Sequence, residues 1–298
     1  MTLYAEIARA RHVLEQAGID TIETAVDADL LARTVLGWDR ARLLASLGDP
    51  APSGFHDDYA ALVSRRQRRE PAAYIVGCRE FWRRDFEVGP GVLVPRPETE
   101  IIVEEALARL AGHRAASSSG ARRQGLLVAD VGTGSGCLAI TLAIEMPEAC
   151  LVATDTSAAA LHIARRNATR HDVSDRIRFL ETDLLAEVGA QFDLIVSNPP
   201  YVPASDMPGL SPEVRDYEPS EALVGGADGL DAIRGLLLQS ESRLRKNGLL
   251  IFEFGFGQEA EVGKAIGARP AFQLETVRRD LQGIPRTAVA RWHPVAAG

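Results

Sequence analysis

Leu126-Leu127-Val128-Ala129-Asp130-Val131-Gly132-Thr133-Gly134-Ser135-Gly136 reads as an apolar strand that breaks into a glycine-rich turn and opens a helix over 138–145. Glycines at such a turn let the backbone bend tightly and come close to a ligand without interference from Cβ. From residue 96 onward the same alternation recurs. Strands are expected at 126–131, 151–154, 177–180, 194–197, 249–254, 273–277 and 287–291. Helices are expected at 98–110, 138–145, 158–171, 230–244 and 258–266. Strands separated by helices predict an α/β architecture, a mostly parallel sheet covered on both faces. The last two strands have no helix between them, so one of the pair is expected to run antiparallel.

The ends of the strands carry the chemistry. Asp155 closes the second strand, where its carboxylate can accept hydrogen bonds from both hydroxyls of a ribose. Asp183 and Leu184 follow the third, where the carboxylate can accept from an adenine amino group and the Leu184 amide can donate to the ring. With Gly132, Thr133, Gly134, Ser135 and Gly136 these residues predict a site for an adenosine-bearing cofactor. The glycine loop by itself leaves nicotinamide dinucleotides and S-adenosyl-L-methionine both open.

Asn198-Pro199-Pro200-Tyr201, at the end of the fourth strand, decides between them. An Asn side chain offers an oxygen that can accept from a carboxamide or amino group. The Pro199 carbonyl is a second acceptor, and the diproline stiffens the backbone while supplying no N–H to compete for it. Tyr201 adds a flat face against which a planar substrate can lie. Asn198, Pro199, Pro200 and Tyr201 therefore predict a clamp around a planar nitrogen to be alkylated, with Asn198 also beside the cofactor. No histidine lies near the tetrapeptide in sequence, and no general base is assigned.

Composition sets outer limits. The 298-residue chain has 46% hydrophobic and 25% charged residues and a formal net charge of −8, ordinary for a globular protein and adverse to a duplex-binding surface. No apolar run approaches the ~18 residues of a spanning helix, and residues 1–19 mix acidic and basic side chains as an amphipathic helix does, not a secretion signal. A cytoplasmic monomer acting on neither nucleic acid nor membrane is expected. The three cysteines, Cys78, Cys137 and Cys150, have neither disulfide nor metal-ligand spacing; they are expected to be reduced packing residues, with no metal bound.

The first 75 residues give short helical patterns at 3–16, 28–36, 41–47 and 56–69, broken by glycines, which predicts a small helical domain. Its basic run, Arg65-Arg66-Gln67-Arg68-Arg69, reads as a solvated helix end in preference to a binding patch. Over 76–95 the pattern changes to Phe81-Trp82, Phe86-Glu87-Val88 and Val92-Leu93-Val94, with Gly89-Pro90-Gly91 between the last two. This is read as a β-hairpin joining the helical domain to a catalytic domain over 96–298, with Trp82 as its packing anchor. Residues 115–125, rich in Ser, Ala and Arg, are expected to form a flexible surface insertion.

The chain resembles the release factor glutamine methyltransferase family over nearly its whole length. The resemblance is carried by residues 79–82, by Pro95-Arg96-Pro97-Glu98-Thr99-Glu100, by the glycine loop and the Asn198–Tyr201 tetrapeptide, by Glu253-Phe254-Gly255 with Gln258, and by Asp280, Gly283 and Arg286. It implies a class I (Rossmann-like) S-adenosyl-L-methionine-dependent methyltransferase with a seven-stranded sheet, one strand antiparallel, and a small helical N-terminal domain for substrate recognition. It also implies that Gly132 to Gly136, Asp155, Asp183 and Leu184 hold the cofactor and that Asn198 to Tyr201 hold the substrate. That substrate is the glutamine of the Gly-Gly-Gln motif of class 1 peptide chain release factors, methylated at N5, with S-adenosyl-L-homocysteine as the second product. A sister family that methylates a ribosomal-protein glutamine shares the tetrapeptide but usually differs over the equivalent of 95–100. A DNA adenine-N6 enzyme uses a similar clamp, which the acidic balance and the lack of a DNA-recognition domain disfavour. Arg96, Thr99 and Glu100 either line the substrate channel or brace the domain junction, and Glu253 and Gln258 are read as fixing the loop after the fifth strand.

Overall fold

The computed structural model describes residues 1–117 and 125–294, which form two compact units. The first comprises residues 1–78 together with 211–217. Here α1 (Leu3–Gln16) starts where the Thr2 side chain accepts from the Ala5 amide, and it buries Leu3, Ile7, Ala10 and Leu14 along one stripe. Helix α2 (Thr21–Leu36) is capped by Asp20 and ends at left-handed Gly37. It begins seven residues before the expected 28, because its first turns bury polar Thr24 and Asp27, which hide the apolar periodicity. Helices α3 (Arg40–Ala45) and α4 (Phe55–Gln67) follow, and then α5 (Ala72–Val76), a single turn too short to leave a sequence pattern. Leu3, Leu14, Leu31, Leu43, Phe55 and Tyr59 close the core, with the last two rings stacked at 4.9 Å.

The basic run is not a solvated helix end. Arg66 has 0% exposure; its Nε donates to Asp27 at 2.6 Å, Nη2 to Glu23 at 2.8 Å and Nη1 to Glu213 at 2.8 Å. Arg69 also donates to Glu213, at 2.8 Å, and Arg65 to Glu70. Full burial of a charge is tolerated because carboxylates saturate the guanidinium fork.

The second unit, 79–210 with 218–298, opens with a hairpin of β1 (Cys78–Phe81) and β2 (Arg84–Glu87). Its turn is Trp82-Arg83, both at positive φ (51° and 59°), the twist that matches paired strands. The expected turn at Gly89-Pro90-Gly91 is not a hairpin, and Val92-Leu93-Val94 is not a strand. A 3-10 turn, Pro97–Thr99, leads into α6 (Glu100–Ser117). Residues 115–117 thus belong to the helix, and residues 118–124 of the expected insertion lie outside the described residues. Then come β3 (Leu127–Val131), α7 (Cys137–Glu145), β4 (Cys150–Asp155), α8 (Ala158–Arg170), β5 (Ile177–Glu181) and β6 (Phe192–Ser197). After α9 (Pro212–Tyr217), which belongs to the helical unit, follow α10 (Asp231–Glu241), β7 (Leu244–Glu253), α11 (Glu259–Gly267), β8 (Phe272–Arg279) and β9 (Pro285–Trp292).

The seven strands run in the order β5-β4-β3-β6-β7-β9-β8, parallel through β7, with β9 antiparallel to both neighbours. Val128, Leu194 and Ile251 join one core with Ile102, Leu138 and Ile140; Ala129, Ile195 and Leu250 join the other with Ile233, Leu236 and Val262. Alternate residues along each strand thus serve opposite faces, both covered by helices. Cys137 packs in the first core, whereas Cys150 is exposed at the start of β4. No helix among the described residues is long and apolar enough to cross a membrane.

Candidate active site

The strand order reverses at β3, with β4 on one side and β6 on the other, the crevice where open α/β sheets bind ligands. Register brings the site together. Val131 pairs with Thr154 and with Ser197, so Gly132, Asp155 and Asn198 leave three adjacent strands side by side. They border a cavity of about 840 Å³, within the range of small-molecule sites. Gly132, Thr133, Gly134, Ser135, Asp155, Asp183, Leu184, Asn198 and Pro200 all line it.

The cofactor side is built mainly from backbone. Gly132 and Gly134 take φ of 71° and 55°, a region that L side chains rarely enter. Asp155 accepts from the Gly134 and Ser157 amides, each at 2.9 Å. Burial outweighs those bonds and raises its carboxyl above the ordinary value. Asp130 is fully buried beneath the loop and accepts from the Thr133 hydroxyl at 2.6 Å and the Ala139 amide at 3.0 Å; burial pushes its carboxyl up to about 7. Gly136 does not line the cavity. A Cβ there would stand 2.9 Å from Ile140 Cδ1 and 3.2 Å from Ala164 Cβ, so this glycine allows the close packing of α7 against α8.

The other side is held by side chains. Asn198 Nδ2 donates to Thr99 Oγ1 at 3.0 Å, Thr99 Oγ1 donates to Glu253 Oε2 at 2.6 Å, and the Tyr201 hydroxyl donates to Glu253 Oε1 at 2.9 Å. Glu253 is 1% exposed, and burial raises its carboxyl above the usual glutamate range despite those two bonds. Burial, then the neighbouring Glu253 charge, push the Tyr201 phenol well up. Pro199 is buried and Tyr201 half-buried, and neither lines the cavity. The Tyr201 hydroxyl thus anchors the loop to Glu253.

A second segment braces the tetrapeptide. Val202 donates to Leu223 O at 2.8 Å, Gly225 donates back to Val202 O at 2.9 Å, and Gln258 Nε2 donates to Tyr201 O at 2.9 Å. A Cβ at Gly225 would lie 2.5 Å from Pro200 O, and one at Gly229 2.2 Å from Tyr201 O. Sequence reading missed this brace, although the glycine density of Gly225-Gly226-Ala227-Asp228-Gly229 signals close backbone approach. Arg96 donates to buried Glu218 at 2.5 Å and Glu100 accepts from the Trp82 amide at 2.7 Å. Both are braces, while Thr99 and Pro95 line the cavity.

The sheet and its crevice define a methyltransferase of the Rossmann-like class. A family model described as "Methyltransferase small domain" matches residues 119–208, and the catalytic domain of human Mettl16, 18% identical, shares the fold at a TM-score of 0.55 over 76% of this chain and 83% of that one. A second model, "PrmC N-terminal domain", matches residues 7–77. The release factor glutamine methyltransferase of Geobacter sulfurreducens is 40% identical over 94% of this chain and 93% of its own length, and that of Xylella fastidiosa strain 9a5c 41% identical over 89% and 92%. The chain belongs to the release factor glutamine methyltransferase family.

Proposed function

We propose that the protein transfers a methyl group from S-adenosyl-L-methionine to the side-chain amide nitrogen, N5, of the glutamine in the Gly-Gly-Gln motif of class 1 peptide chain release factors. The observation that carries this reading is the Asn198 carboxamide bordering the cavity with its donor end engaged by Thr99. Its remaining oxygen is suited to another carboxamide. The relatives named for release factor glutamine methylation support the same substrate class.

The residues fit the cofactor. Asp155 has lone pairs beyond its two backbone bonds for ribose hydroxyls, and Asp183 and Leu184 stand at the cavity wall for the adenine. The Ser135 hydroxyl is buried at that wall with the Cys137 thiol as its neighbour, a weak partner that a polar ligand improves on. When bound, S-adenosyl-L-methionine supplies a methyl group already activated on a sulfonium sulfur.

An amide nitrogen is a poor nucleophile because its lone pair is delocalised into the carbonyl. In this reading Asn198 Oδ1 accepts one N–H of the glutamine, which raises electron density on nitrogen and fixes its approach. Positioning and preorganised acceptors then supply most of the rate. The N–CH₃ bond forms as the methyl–sulfur bond breaks, the sulfur leaving as the neutral thioether of S-adenosyl-L-homocysteine, and the amide nitrogen then loses one proton to solvent. The helical unit is assigned to release factor recognition, and the enzyme to the cytoplasm as a monomer.

Asn198→Ala is the test, read by tritium transfer to a purified release factor. Turnover is expected to fall by ~100-fold or more, the scale of a lost transition-state hydrogen bond, with cofactor affinity little changed. Comparable turnover in the variant refutes the clamp.

A further inference from the structure

We infer that Thr99 and Glu253 are positioning residues for the transfer, dictating which end of the Asn198 carboxamide meets the substrate; this rests on the Asn198 reading above. Ser197 pairs with Phe252 across β6 and β7, so Asn198 and Glu253 emerge as neighbours. Thr99 reaches the pair from the 3-10 turn Pro97–Thr99.

The argument turns on the count of hydrogens. In the ionised form of Glu253 the carboxylate only accepts, and in that form both hydroxyls, Thr99 at 2.6 Å and Tyr201 at 2.9 Å, must donate. Thr99 has one hydroxyl hydrogen, and it is committed to Glu253. Its oxygen can therefore only accept from Asn198, which must turn Nδ2 toward it at 3.0 Å. The reversed amide would set two acceptors against each other at that distance. The Asn198 oxygen is left for the substrate, and the polarity of the chain runs from carboxylate to hydroxyl to amide.

A loop brace alone does not need this charge. Glu253 makes no ion pair among the described residues, although Arg286 contributes favourably at longer range. A buried carboxylate satisfied only by neutral hydroxyls is costly to desolvate. A neutral side chain would hold the loop at less cost, but it would not fix the direction of the Thr99 hydrogen.

The experiment compares Thr99→Ser, Thr99→Val, Thr99→Ala and Glu253→Met with wild type and with Asn198→Ala. Steady-state kinetics on a release factor, cofactor Kd by calorimetry and Tm are measured for each. Val keeps the volume of Thr and loses the hydroxyl, whereas Ser keeps the hydroxyl and loses the methyl. The expected order of kcat is wild type, then Ser close behind, then Val and Ala together at a loss of about 10–100-fold, the scale of a misaligned reacting group. KM and cofactor Kd stay near wild type in the Thr99 series. Glu253→Met frees the Thr99 hydrogen to donate to Asn198, lets the amide turn over, and lowers kcat likewise; should it fail to fold, the Thr99 series decides alone. Wild-type kcat in Thr99→Val, or a Ser variant no better than Val, overturns the inference. If Asn198→Ala is impaired while Thr99→Val is not, only the positioning role falls. If Asn198→Ala is itself fully active, both readings fall together.

Discussion

Arg66 and Glu253 are both withdrawn from water, and they are handled in opposite ways. Arg66, in the helical unit, is surrounded by Asp27, Glu23 and Glu213, so that charge balances charge. Glu253, in the methyltransferase unit, is met by two neutral hydroxyls. The first arrangement saturates the ion and locks three stretches of chain, α2, α4 and 211–217, into one unit. The second leaves the ion acceptor-only and uses it to orient its neighbours. Asp155 belongs with Glu253: backbone amides hold it, and lone pairs remain for a ligand. A buried charge matched by opposite charge therefore serves the fold, while one held by neutral donors serves the site.

The largest effect should follow from breaking the first arrangement. Arg66→Ala removes the donor shared by three carboxylates and is expected to cost about 3–5 kcal/mol, read as an earlier loss of the helical unit in denaturant titration. A loss below 1 kcal/mol would place Arg66 among the ordinary surface arginines. The next contrast is Asp155→Ala, which removes a charge-assisted bond of about 1.5–3 kcal/mol from the ligand and not from the core. Calorimetry should show cofactor binding weaker by about 10–100-fold with Tm little changed; the reverse pattern, intact affinity and a large drop in Tm, would make Asp155 a structural residue.

The smallest effect is a difference in sign. At Glu213 burial pushes the carboxyl up, but the bonds from Arg69 and Arg66 outweigh it and hold it below the ordinary glutamate value of 4.5. Its stabilisation is therefore complete above 4.5 and is lost as pH falls through the depressed value. Burial raises Glu253 above 4.5, so its contribution is most favourable below 4.5 and declines as pH rises through the raised value. Thermal melts across this range should show that Glu213→Gln removes part of the acid-side loss, whereas Glu253→Gln removes part of the decline on the alkaline side of 4.5. Slopes changed in the same direction by both variants would erase the distinction.

Sequence alone made most of the methyltransferase fold legible. Buried parallel strands are short apolar runs bounded by turns, and such runs stand out between 126 and 291; the glycine spacing of 132–136 and the tetrapeptide at 198 marked two adjacent strand ends. What stayed hidden depends on partners distant in the chain. Nothing local separates Arg66 from its neighbours in an arginine-rich run, since its partner Glu213 lies 147 residues away. Thr99 and Glu253 are 154 residues apart, and each reads locally as a loop residue. The Trp82-Arg83 turn was missed because left-handed backbone at non-glycine residues leaves no compositional mark, and the start of α2 because Thr24 and Asp27 face inward.

The most direct test of the central claim is mass spectrometry of a class 1 release factor after incubation with the protein and S-adenosyl-L-methionine, with peptide fragmentation to locate the modification. A single added methyl on the side-chain nitrogen of the Gly-Gly-Gln glutamine is the predicted result. An unmodified glutamine, or a methyl placed on any other residue, would contradict it.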